Sequence, residues 1–142
     1  MRKLLPLAIT LAVALPLGAQ TKCTFTTTGQ SCGPKLSGSE KVAGGTHIIT
    51  LSVTNAPKTA HGLLVIGVQA LAPPFQFPGS NCYLHLHPLI FVGINSDGKG
   101  RASRTFARHA NLLGMALVQT GFEDLKHNQP LETSNAVKIL CQ

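Results

Sequence analysis

His85-Leu86-His87 is the segment of this sequence best suited to chemistry. Residues two apart on a strand share a face, so both imidazoles could reach one transition metal. A stable metal site needs a third or fourth donor, and His47, His61, His109 and His127 are the other histidines. The sequence brings none of them beside the pair, so His85 and His87 read first as surface residues. Tyr83 falls on the same strand face, which makes Tyr83, His85 and His87 a candidate face for a ligand, above all a carbohydrate. No cofactor is implied.

The remaining constellations are weaker. Gly29-Gln30-Ser31-Cys32-Gly33 fits the nucleophile-elbow pattern, which requires a strand, a strained turn and a helix. Pro34 follows instead and no helix signal is present, so the pentapeptide reads as a loop. Asn95, Asp97 and Lys99 imitate the start of a calcium loop. However, Lys99 stands where an oxygen donor is needed and no Glu follows at the required spacing. The five acids offer no legible glycosidase pair: Glu123 and Asp124 would diverge on a strand, and Glu40, Asp97 and Glu132 stand apart near expected turns. Arg101, Arg104 and Arg108 with His109 would form a basic edge that could hold an anionic glycan or discourage edge-to-edge pairing. With no catalytic set, the chain reads as a non-enzyme.

Four cysteines, Cys23, Cys32, Cys82 and Cys141, suit two disulfides in an exported protein. Zinc would want a C-x-x-C pair, which is missing. Of three pairings, the expected one closes a short loop with Cys23–Cys32 and a long one with Cys82–Cys141. The argument is phase. Cys82 alternates with Leu84 and Leu86, and Cys141 with Val137 and Ile139, so both cysteines should face a core.

These residues must be positioned by a small chain. Met1-Arg2-Lys3 precedes the uncharged apolar run Leu4 to Leu17, and Gly18-Ala19 supply small residues for cleavage. That is a secretory signal pattern over residues 1–19; the run is too short to span a membrane and is broken by Pro6 and Pro16. The remaining residues, 20–142, form one domain with ten cations against five acids, a net charge of +5. Aromatics are 5% of the chain and no basic run stands out, which argues against specific nucleic-acid binding. The chain is 44% hydrophobic and 12% charged, so it is not a disordered one.

Fourteen Gly and nine Pro exclude long helices. Thr46 to Thr54 alternates, with Ile49, Leu51 and Val53 on one face. Gly62 to Ala70 is a continuous apolar run suited to a strand buried on both faces, and Pro73-Pro74 with Pro78-Gly79 mark a loop. Cys82 to His87 and Leu89 to Ile94 follow as strands, and Asn95 to Gly100 predicts a tight hairpin to a returning strand at Arg101 to Phe106. Leu113 to Phe122 and Ser134 to Cys141 complete the set. Seven or eight short strands predict an all-β, antiparallel two-sheet sandwich, Ig-like or jelly-roll-like and stapled by disulfides.

The order of Cys32-Gly33-Pro34, Leu36-Ser37-Gly38, Leu51 to Pro57, Leu63 to Gly67, Gly79 to Leu84, Asp97 to Ala102 and Ser134 to Val137 resembles a compact secreted bacterial β-sandwich module. That module often forms the C-terminal domain of exported proteins. The resemblance implies export and a sandwich, and no catalytic residues. The expected function is therefore structural or interactive: a secreted protein working in a surface layer, a matrix or a homo-oligomer, with carbohydrate binding as the alternative and His-x-His metal binding behind it.

Overall fold

The computed structural model describes residues 21–109, 113–123 and 131–142. The segment read as a signal peptide and the residues Asp124 and His127 lie outside these. Every described element is a strand: β1 (Cys23–Thr28), β2 (Lys35–Ala43), β3 (Thr46–Thr54), β4 (His61–Gly67), β5 (Ala70–Gln76), β6 (Tyr83–Leu86), β7 (Ile90–Asn95), β8 (Ala102–Arg108), β9 (Gly114–Glu123), β10 (Glu132–Thr133) and β11 (Ala136–Cys141). The expected all-β antiparallel class holds, with eleven strands instead of seven or eight.

The larger sheet runs β1-β11-β9-β4-β7, with β10 attached to β9. The smaller runs β2-β3-β8 and packs against it. Alternation supplies both inner faces. Leu51 and Val53 of β3, with Leu36 of β2, meet Leu64, Val118, Phe122, Val137 and Ile139 from the larger sheet in one buried core. Burying this much apolar surface is the main force holding the sheets together. Val65 of β4 points the other way and is also buried, against Leu86 and Leu117. The hairpin β5–β6 covers that outer face at Val65, as the apolar run predicts, but the strand ends at Gly67 instead of Ala70, and Leu63 on the same face is 49% exposed.

Two expectations fail for one reason, namely where strands find their partners. The Asn95 to Gly100 segment is not a hairpin, because β8 pairs with β3 in the other sheet and not with β7. Asp97 Oδ1 accepts the backbone N–H groups of Lys99 (2.8 Å) and Arg101 (2.9 Å), which bends the chain across. This crossover bonds to the β3–β4 crossover: Thr59 N–H donates to Asp97 O and Ala56 N–H to Gly100 O, both at 3.0 Å. Gly100 has φ +71°, and a Cβ there would collide with the Ala56 carbonyl. Likewise Pro73 and Pro74 belong to β5, not to a loop. That strand is irregular between Ala70 and Phe75, where its pairing with β6 breaks off.

The disulfides are Cys23–Cys141 and Cys32–Cys82, which overturns the expected Cys23–Cys32 and Cys82–Cys141. Cys141 does face the core beside Val137 and Ile139. Its neighbour, however, is β1: Cys23 and Cys141 stand directly opposite in the β1–β11 pairing, with Cα atoms 4.0 Å apart. Residues 23 to 28 form a full strand and not a local loop. Cys32 is left to tie the β1–β2 loop to the residue before β6.

The Ser-Asn motif near the end is a brace. Asn135 accepts Leu36 N–H (3.0 Å) and donates to Leu36 O (2.9 Å), acting as one rung of a ladder for β2. Ser134 Oγ accepts Thr120 N–H at 2.9 Å and donates to Asn135 O.

Candidate functional site

Tyr83 and His85 stand on β6 as expected, half-buried, and their rings stack with centroids 6.2 Å apart and planes 30° from parallel. Position and orientation come from three supports. Gln119, buried in β9, accepts His85 N–H (2.9 Å) and donates to Tyr83 O and Ser134 O (both 2.7 Å), so one side chain fixes the β6 backbone. Thr133 Oγ1 donates to Tyr83 O as well. His85 Nε2 lies 2.8 Å from Gln30 O, and because a carbonyl only accepts, Nε2 carries the hydrogen. The Cys32–Cys82 bridge clamps the loop that carries Gln30. Gly29 in that loop has φ +72°, and a Cβ there would come within 2.6 Å of the His85 ring. Gly29, Gln30, Pro74, Tyr83 and His85 line a shallow cup of about 220 Å³.

His87 is not in this cup; it is exposed beyond the end of β6. Among the described residues no three His, Cys, Asp or Glu are grouped to hold a metal. His85 Nε2 is engaged by Gln30. Of the other donors considered, His47 is buried elsewhere and His61 Nδ1 lies 2.9 Å from Asn95 Oδ1. Gly29 to Gly33 forms a bent loop that leads into β2, with no helix behind Ser31.

The basic edge is also rearranged. Arg104 is exposed and Arg101 pairs with Asp97 on the surface, but Arg108 is buried and bonded to Glu40 at 2.5 Å. Glu40 is therefore no turn residue: it faces inward from β2, where its second oxygen accepts Cys23 N–H at 2.9 Å. His47 Nδ1 lies 3.0 Å from the same carboxylate. Arg108 reaches on to Thr21, donating to its hydroxyl and carbonyl oxygens. Burial pushes the Glu40 carboxyl up, but the hydrogen bonds from Arg108, Cys23 N–H and His47, with the guanidinium charge, outweigh it and lower the pKa to about 2. Asp97 is likewise held low, chiefly by the Arg101 N–H, against the opposing effect of desolvation and with help from Lys99 N–H and the Arg101 charge and side chain.

The second candidate surface is apolar. β7 ends the larger sheet, and Leu89, Ile90 and Phe91 at its start are 64%, 56% and 58% exposed. Phe91 and Leu63 lead into a cleft of about 260 Å³ walled by Val65, Phe77, Leu84 and Leu131. Of its polar lining residues, Gln119 and Thr133 are bonded to the β6 backbone, while Thr120 Oγ1 is buried with no partner among the described residues. The free edges elsewhere differ. β2 carries Lys35 and Lys41, β8 carries Arg104, β1 lies beside β2 through the Cys23–Glu40 bond, and β5, though uncharged, has Pro73 and Pro74 in place of two backbone donors. β7 has no charged residue, and a Cβ added at Gly93 would meet open space.

Reasoning from sequence marked Tyr83 and His85 but missed Gln30, Pro74 and Gln119, which shape and hold their cup. Gln119 left one signal, a lone amide inside the apolar run Met115 to Phe122. Comparison with known proteins returns no matching family model and no similar curated protein, so the likeness to a secreted sandwich module extends to the all-β, twice-bridged fold and identifies no family.

Proposed function

We propose that this chain is a secreted, non-enzymatic interaction module that associates with a second copy of itself through the β7 edge. The observation that carries the reading is the uncharged, exposed run Leu89-Ile90-Phe91 on the terminal strand of the larger sheet. An unblocked edge strand offers its unpaired N–H and C=O groups as a template for another strand. Two cationic copies repel over most of their surfaces, and β7 is where they can approach with no charge between them. Antiparallel pairing of β7 with its copy is self-complementary about a two-fold axis, the commonest way small proteins assemble. The two disulfides suit the oxidising conditions outside the cell, where a surface layer or matrix would form.

Size-exclusion chromatography with light scattering on the oxidised protein tests this. Wild type is expected to show concentration-dependent association, and Ile90→Lys to run as a monomer. A monomeric wild type at high concentration, or association untouched by Ile90→Lys, would overturn the proposal.

A further inference from the structure

We propose that the cup formed by Gly29, Gln30, Pro74, Tyr83 and His85 binds one neutral pyranose residue of a saccharide. This site shares no residue with the β7 edge and stands independently of the association proposed above. The floor is the Tyr83 ring with the His85 ring beside it, their centroids 6.2 Å apart and their planes 30° from parallel. The negative π face attracts the polarised C–H groups on one side of a sugar ring. Pro74, from β5, supplies an apolar wall on another element. The volume of about 220 Å³ suits a single ring and not an extended chain.

The polar groups at the cup are those a sugar hydroxyl needs. Because His85 Nε2–H is committed to Gln30 O, neutral His85 keeps Nδ1 as an acceptor. The Tyr83 hydroxyl and the Gln30 side-chain amide have no partner among the described residues, and each can donate and accept. No carboxylate, lysine or arginine lines the cup, which selects against charged ligands. The geometry is also fixed in advance: the Cys32–Cys82 bridge holds the loop, Gly29 lets it lie against the imidazole, and Gln119 holds the β6 backbone. A preformed cup avoids the ordering cost that otherwise weakens small-ligand binding.

The test is titration of the oxidised protein with gluco-, manno- and galacto-configured neutral tetrasaccharides, followed by ligand-observed NMR, with a proline-rich decapeptide as the competing class. At least one saccharide is expected to bind. Tyr83→Ala should weaken it about tenfold or more by removing the stacking floor. Tyr83→Phe, which keeps the ring and the fold, should weaken it less, as should Gln30→Ala. His87→Ala and Ile90→Lys should bind as wild type does, which separates this site from the association surface. No binding by any saccharide, binding indifferent to Tyr83→Ala, or binding of the peptide in place of the saccharides would overturn the proposal.

Discussion

The two lateral sides of the sandwich are built on opposite principles. Where β1 meets β2, a disulfide, a buried ion pair and a backbone bond to the same carboxylate converge on Cys23, Glu40 and Arg108. At β7 no covalent tie or charge is present, and the three large apolar side chains Leu89, Ile90 and Phe91 are exposed. Inner-facing residues of β7 pass from exposed Ile90 to buried Ile94 along the strand, so its far end belongs to the core and its near end does not. If the proposed association holds, cohesion and contact are assigned to different edges. Substitutions at the first should cost folding and spare association, and those at the second should do the reverse.

The largest effect is expected at the disulfide. Cys23→Ser and Cys141→Ser should destabilise equally, by about 5 kcal/mol in the chain-entropy model, and the double variant should add nothing. Cys32→Ser opens a shorter loop and should cost about 4 kcal/mol. Calorimetry under oxidising conditions checks both, and unequal losses at 23 and 141 would contradict the pairing. Next, Arg108→Met leaves the Glu40 carboxylate buried without its guanidinium and should cost about 3 to 5 kcal/mol in urea unfolding. Adding Glu40→Leu should restore part of that loss, because the uncompensated charge goes with it.

A smaller, graded effect follows from pH. The Glu40 pKa is about 2 in the folded chain against 4.5 for a free carboxyl, so the unfolded state binds a proton first as pH falls. The stabilisation is fully present above about pH 4.5 and is lost progressively as the folded carboxylate titrates toward pH 2. Glu40→Gln should flatten that part of the stability–pH curve. The smallest change in stability is expected at β7, where Ile90→Lys should stay within about 0.5 kcal/mol of wild type while association is lost. A large loss of stability there would erase the contrast between the two edges.

Local periodicity made much of this legible. Thr46 to Thr54 is β3 with the expected inward Leu51 and Val53, and the apolar run after Gly62 is a strand covered on both sides at Leu64 and Val65. The alternation ending at Cys141 likewise gave the correct inward face. Partner choice was not legible, because it is decided by contacts far apart in the chain. Asp97-Gly98 signals a bend equally well for a hairpin and for a crossing between sheets, and only the position of β3 decides which. Glu40 and Arg108 are 68 residues apart, so neither betrays the other and each reads alone as surface charge. For the cup, Tyr83 and His85 follow from period two along β6. Gln30 and Pro74 arrive from other elements and carry no local mark.

The opposition of Cys23 and Cys141 also has a mechanical meaning. A load applied across Lys22 and Gln142, which bond to each other, meets the bridge one residue inside them. Tension therefore passes from one end to the other through two sulfur atoms and never reaches the strands between residues 23 and 141. Oxidised copies strung in series would behave as nearly inextensible links. Once the bridge is reduced, β1 and β11 are pulled from their shared end, so their rungs open one after another like a zip instead of resisting together in shear.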